Sequence, residues 1–179
     1  MLRAAQNGDD GASPLHLAAM NGHEGAVRLL LEKNANIAFG CSPLHMAAMN
    51  GHEVIVRLLL ENNADIAARD NEDGYSPLHC AASFGHESAV RLLLENNADI
   101  AAREMFGRSP LHLAAMNGHE DAVRLLLEKN ADIAARNIDG ASPLHLAAEN
   151  GHEDAVGLLL ENNADIAAST KVRVCRQLS

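Results

Sequence analysis

Apolar positions along the chain fall into short helical groups, each followed by a polar turn. In the stretch SPLHLAAMNGHEDAVRLLLEKNADIAAR, from Ser109 to Arg136, Leu111, Ala114 and Ala115 recur at helical spacing and define one apolar face. Ser109 suits the N-cap, and Pro110 suits the first helical position, where its missing N–H costs nothing. Asn117-Gly118 then supplies a residue that tolerates positive φ and stops the helix. A second helix is predicted from about His119 to Lys129, with Glu120 and Asp121 in its first turn and Arg124 and Lys129 later, the order the helix dipole prefers. Glu120 precedes Arg124 by four residues, a pairing worth ~0.2–0.5 kcal/mol, and it recurs as Glu24/Arg28, Glu53/Arg57 and Glu87/Arg91. Asn130 closes the second helix, as do Asn34, Asn63, Asn97 and Asn163 in equivalent stretches, because Asn tolerates φ > 0 better than other residues bearing a side chain. A short polar segment with Gly140 follows, suited to a hairpin-like turn.

The unit repeats. Ser-Pro-Leu-His starts at Ser13, Ser42, Ser76, Ser109 and Ser142, so successive starts differ by 29, 34, 33 and 33 residues: a period of 33 with one four-residue deletion and one single-residue insertion. The expected organisation is a lead-in at 1–7, repeats at 8–37, 38–69 (with a shortened entry turn), 70–103, 104–136 and 137–169, and a tail at 170–179. Only Ala38-Phe39-Gly40-Cys41 separates Ile37 from Ser42, where the fourth junction has eight residues between Ile133 and Ser142. A clipped turn is predicted there, with the first two helix pairs still stacked because their apolar positions are intact. Neither end carries a dedicated capping repeat with a polar outer face, and Gly157 replaces the Arg of the other copies at a cost of ~1 kcal/mol, so fraying is expected to start in the last repeat. In the tail, Lys171, Arg173 and Arg176 are too sparse for a nucleic-acid patch, and a flexible segment is expected.

These residues resemble the ankyrin repeat, a 33-residue unit with Thr-Pro-Leu-His-x-Ala, Gly-His, a Leu-Leu pair and Gly-Ala-Asp before the turn. Ser stands for Thr in all five copies and Asn for Gly before Ala-Asp, and the resemblance covers about 162 residues, Gly8 to Ser169. It implies an all-α solenoid of stacked helix pairs with short β-hairpin-like fingers and a concave face that binds other proteins. Some members of that family are hydroxylated on an Asn after Asp-Ile; here the position is Ala67, Ala101, Ala134 and Ala167, which weakens that reading.

Composition narrows the chemistry. Hydrophobic residues make up 47% of the 179, enough for a core, yet there is no Trp, one Tyr and three Phe beside ten His. Lys+Arg of 14 against Asp+Glu of 24 gives a formal charge of 14 − 24 = −10, the wrong sign for binding nucleic acid or an anionic membrane. Three scattered cysteines, Cys41, Cys80 and Cys175, fit neither a disulfide framework nor a zinc site, and no apolar run serves as a signal peptide or membrane span, so an intracellular, cytoplasmic setting is expected. The histidines form two periodic ladders: His16, His45, His79, His112 and His145 after Pro-Leu, and His23, His52, His86, His119 and His152 after Gly. A metal array is one reading. The stronger reading is architectural: the first ring bonds turn backbone near a helix start and the second opens the next helix. No His-Glu-x-x-His, Gly-x-Ser-x-Gly or phosphate-binding Gly-rich loop occurs, so no catalytic residue, metal ligand or cofactor is assigned. Asp9-Asp10-Gly11 and Asp70-Asn71-Glu72-Asp73-Gly74 lack the alternation and terminal Glu of a calcium loop.

The aromatics point elsewhere. Phe39, Tyr75 and Phe106 lie in inter-repeat turns, and Phe84 precedes the Gly that ends a first helix. By the resemblance, these are positions that contact partners, and aromatic and Met residues are enriched at interfaces. Met20, Met49 and Met116 share one register position, where Ser83 and Glu149 stand in the other copies. With Met105 they form a pliable apolar strip, or else they pack on the neighbouring first helix. The candidate protein-binding residues are therefore Phe39, Met49, Tyr75, Phe84, Met105, Phe106 and Met116, centred on the third and fourth repeats. The function expected is a non-catalytic protein-interaction module using the concave face and turn tips. The alternative is a recruitment segment of a larger effector or enzyme whose active domain lies outside this chain. Self-association through the uncapped ends is a further expectation.

Overall fold

The computed structural model describes residues 12–35 and 41–170. Phe39 and most of the clipped turn, the lead-in, the Asp9-Asp10-Gly11 cluster and the basic residues of the tail lie outside the described residues. Within them are ten helices in five pairs: α1 (Pro14–Met20) and α2 (Glu24–Glu32), α3 (Pro43–Met49) and α4 (Glu53–Glu61), α5 (Pro77–Ser83) and α6 (Glu87–Glu95), α7 (Pro110–Met116) and α8 (Glu120–Glu128), α9 (Pro143–Glu149) and α10 (Glu153–Glu161).

At seven and nine residues, helices this short do not persist alone in water, so their ends and packing must hold them. Each first helix starts on an extended Ser with Pro at the first helical position. The histidine three residues on turns its Nδ1 back to the cap, accepting from the Ser N–H at 3.1–3.3 Å in all five copies. Each second helix ends in a Schellman arrangement. Asn34, Asn63, Asn97, Asn130 and Asn163 hold φ between 56° and 66°, and the next amide bonds back to a leucine carbonyl, as from Ala98 to Leu93 at 3.0 Å.

The core is a run of thin layers. Ala47, Ala48, Ala81, Ala82, Ala114 and Ala115 are fully buried on the first helices, while Leu59, Leu93 and Leu126 fill the space under the second helices. Alanine lets the first helices approach closely, and they pack on one another more intimately than the second helices do. The stack therefore curves, with first helices on the inner, concave side. Helices α1 and α3 pack as closely as any other neighbouring first helices, so the shortened junction leaves the first two pairs stacked; α2 on α4 is the loosest contact between successive second helices.

Three of the four expected i,i+4 ion pairs form on the second helices: Glu53 with Arg57, Glu87 with Arg91 and Glu120 with Arg124. Glu24 and Arg28 do not pair, a correction to the sequence expectation. Surface pairs of this kind, including the three that form, each gain little in water, so the spacing permits the contact without enforcing it.

Candidate protein-binding surface

The turns between helix pairs are built around one side-chain oxygen each. Asp70 Oδ1 accepts from the amides of Asp73, Gly74 and Tyr75; Glu104 Oε1 accepts from those of Phe106 and Arg108; Asn137 Oδ1 accepts from those of Asp139 and Ala141. Backbone bonds close each turn, Asp70 N to Tyr75 O, Glu104 N to Arg108 O and Asn137 N to Ala141 O, at 2.9–3.1 Å. Asp70 is thus occupied as a turn organiser.

Neighbouring fingers are then fastened together. Met105 N donates to Asp73 O at 2.9 Å and Ile138 N donates to Phe106 O at 3.0 Å. An arginine at each finger base bonds both its own turn and the next: Arg69 to Gly74 O and Arg103 O, Arg103 to Gly107 O and Arg136 O, and Arg136 to Gly140 O and Ser169 O. These guanidiniums are committed to the scaffold, so finger tips are held in fixed register.

The finger of the fourth repeat carries an arrangement found in no other finger among the described residues. Glu104 is buried, and Arg108 binds it through Nε and Nη2, both at 3.2 Å. The same guanidinium donates to the Tyr75 hydroxyl at 3.2 Å, reaches the Met116 sulfur at 3.7 Å and sits 4.9 Å from the Phe106 ring centroid. Burial pushes the Glu104 carboxyl up, but the hydrogen bonds from Arg108 and the Phe106 amide outweigh it and hold the group below the ordinary carboxylate range. Tyr75 is half-buried against the core, stacked on the His79 ring at 5.7 Å.

Of the candidate residues, the structure brings Tyr75, Phe106 and Met116 together around Arg108, with Met105 beside them in the chain. Met105 and Phe106 are 60% and 41% exposed, and Ile138 on the next finger is 63% exposed, so an apolar ridge crosses two adjoining fingers. Phe84 stands exposed at the C-cap of α5, away from this cluster in the chain, and Met49 is half-buried at the end of α3. Sequence reasoning missed Arg108, Glu104 and Ile138. A signal existed: Glu104 and Arg108 are four apart, the spacing recognised on the helices, but they flank a turn.

Among the described residues, nine of the ten histidines have a ring nitrogen hydrogen-bonded to the scaffold, His23 being the exception. In the first ladder Nδ1 accepts at the cap and Nε2 donates forward to the next repeat, from His45 to Tyr75 O, His79 to Arg108 O and His112 to Ala141 O. In the second ladder Nε2 donates backward, from His52 to Met20 O, His86 to Met49 O, His119 to Ser83 O and His152 to Met116 O. Burial lowers His79 and His112 to about 4 and lowers His16 and His45 as well, so these rings stay neutral near pH 7. Burial also pushes the Cys41 thiol up to about 11 and raises Cys80 further. Among the described residues no three His, Cys, Asp or Glu side chains converge as a metal site, and no helix is long and apolar enough to cross a membrane.

A protein-family model described as ankyrin repeats (3 copies) matches residues 2–70, 34–104 and 101–170. No curated protein matched the chain.

Proposed function

The chain belongs to the ankyrin-repeat family, and from that premise we propose that it is a non-catalytic module that binds a partner protein or peptide through its concave face and turn tips. Ankyrin repeats are in general protein–protein interaction modules. The observation that carries the reading here is the apolar ridge of Met105, Phe106 and Ile138, held on fingers whose backbones are cross-bonded. A preformed surface loses little entropy on binding, and exposed aromatic and Met side chains supply contact area. Phe84, Met116, Met49 and Tyr75 extend the proposed surface along the inner helices, with Tyr75 as a half-buried support of the ridge. Phe39 belongs to the same proposal from sequence alone. A cytoplasmic setting without nucleic-acid or membrane binding is part of this reading, supported by the −10 charge and the free thiols of Cys41 and Cys80.

The test is a peptide-display selection against the full chain, followed by affinity measurement on variants. Met105→Ala combined with Phe106→Ala should weaken a selected ligand ~10-fold or more, since anchors of this kind each contribute more than about 1 kcal/mol. Arg91→Ala on the outer helix α6 should leave it unchanged. Undiminished affinity of the double variant, with helicity intact, would refute the assignment of the ridge.

A further inference from the structure

Each internal joint between repeats is built from two unlike halves. One half is a face that presents the second-ladder histidine together with an alanine or isoleucine and a leucine of the second helix. In the internal copies these are Ile55 and Leu58, Ala89 and Leu92, and Ala122 and Leu125, all buried. The other half is a face that receives the imidazole over a glycine and offers it a backbone carbonyl. A Cβ at Gly51, Gly85 or Gly118 would sit 2.5 Å from the ring of His86, His119 or His152, so the seat fits only glycine beneath a histidine. The Met49, Ser83 and Met116 carbonyls accept from those rings.

The two ends of the described array carry one unfilled half each. At the first repeat His23 is exposed and neither ring nitrogen is bonded among the described residues; Ala26 is exposed, and Leu29 is 62% exposed where its four equivalents are 7% or less. At the last repeat nothing lies within 4 Å of a Cβ built on Gly151. Ala148 is exposed where its four equivalents are fully buried, and Ile166 is 81% exposed while Ile66, Ile100 and Ile133 are partly covered. What one end lacks the other presents.

We propose that the chain associates head to tail with a second copy of itself, the His23, Ala26 and Leu29 face of one copy docking on the Gly151, Ala148 and Ile166 face of the other. The occupant is argued from continuity: the contact reproduces a joint already made four times within the chain, with His23 Nε2 donating to the Glu149 carbonyl over Gly151. The two patches differ, so the contact is heterologous and leaves a free half at each end of any assembly. Growth is therefore linear and open rather than closed at a dimer. This inference uses the ends of the array and is independent of the ridge proposed for partner binding.

The test is sedimentation velocity on the full chain from micromolar to sub-millimolar concentration, with two variants at exposed sites, Leu29→Glu and Ile166→Glu. The wild-type chain should show a mass that rises steadily with concentration through dimer and trimer. Each variant alone, with one end blocked, should remain monomeric, and an equimolar mixture of the two should form a dimer and nothing larger, because only one complementary pair of faces survives. Circular dichroism matching wild type establishes that both variants are folded. A wild-type chain that stays monomeric at all concentrations overturns the proposal. Two other outcomes overturn it as well: association that survives both substitutions, which places the contact elsewhere, and association abolished by only one of them, which shows a symmetric contact between like ends.

Discussion

Acidification from pH 7 to pH 5 should remove a large part of the stability of this array, through two rings. His79 and His112 are wholly buried, and burial holds both near 4 in the folded chain against 6.5 when exposed; the hydrogen bonds to Arg108 O and Ala141 O oppose that shift without cancelling it. The folded value of each base is depressed, so between 6.5 and 4 the unfolded chain binds more protons than the folded one. Stability is complete above about 6.5 and is lost as the pH falls toward 4. Integrating the linkage relation from pH 7 to pH 5 gives about 2 kcal/mol per ring, about 4 kcal/mol for the pair, against a typical domain stability of about 5–15 kcal/mol. His16 and His45 are shifted the same way and add to the loss. Glu104, held below the ordinary carboxylate range, has the same sign, but its contribution is lost only below the ordinary carboxylate value and lies outside this window.

The assay is urea unfolding followed by helical circular dichroism at pH 7, 6 and 5, with the imidazole C–H resonances titrated alongside by NMR. His79→Gln should be less stable than wild type at pH 7 and should lose only about half as much stability on acidification, because one of the two dominant titrating rings is gone. A wild-type loss below about 1 kcal/mol between pH 7 and pH 5 would refute the reasoning, as would His79 and His112 resonances that titrate near 6.5.

Arg108→Ala should destabilise by ~3 kcal/mol in chemical unfolding because it strands the buried Glu104 carboxylate, and Glu104→Gln combined with Arg108→Ala should recover part of that loss. Gly85→Ala forces a Cβ to 2.5 Å from His119 Nδ1 at a φ of 72°, whereas Gly151→Ala at 73° meets open space; thermal melts should show the first as clearly the worse, the second costing only ~1–2 kcal/mol. Asn97→Gly should be neutral or slightly stabilising and Asn97→Ala should cost ~1 kcal/mol, since Asn97 holds φ at 65°. Gly157→Arg in α10 has clear space around it and should gain ~1 kcal/mol from helix propensity; hydrogen exchange on the wild-type chain should show the last repeat exchanging fastest among the described repeats.

Much of the scaffold was legible because it depends on residues close in sequence. The Ser-Pro starts, the left-handed Asn stops and the cap-directed first-ladder histidines are each decided within about five residues. The helix pairs and their stacking follow from the period. What escaped are the features decided across a repeat. Tyr75 reads as a surface aromatic in a polar turn, but its partners are the His79 ring in the next helix and Arg108, 33 residues along. Arg108 and Glu104 read as ordinary turn charges, because nothing local says that the turn folds a carboxylate inward to accept its own amides. Glu24 and Arg28 read as a pair like the other three, and nothing in their spacing distinguishes them.

The histidine content ties these levels together. An imidazole has two nitrogens on opposite sides, so the first ladder satisfies its own helix cap with Nδ1 and the next repeat with Nε2. Replacing the ring by a side chain with one polar end would keep either the cap or the joint and leave the other group unpaired in a dry interior, a loss of ~1–3 kcal/mol per repeat. Folding of a repeat and docking of its neighbour are therefore coupled through the same side chain, and the positions that serve this coupling are the ones held constant from copy to copy. Part of the variation between copies falls where neither nitrogen is involved, at the finger tips and the ends of the first helices. Phe84, Met105, Phe106 and Ile138 all lie there. The coupling through the imidazoles thus leaves these four side chains free to differ from copy to copy on a surface where a partner can touch them.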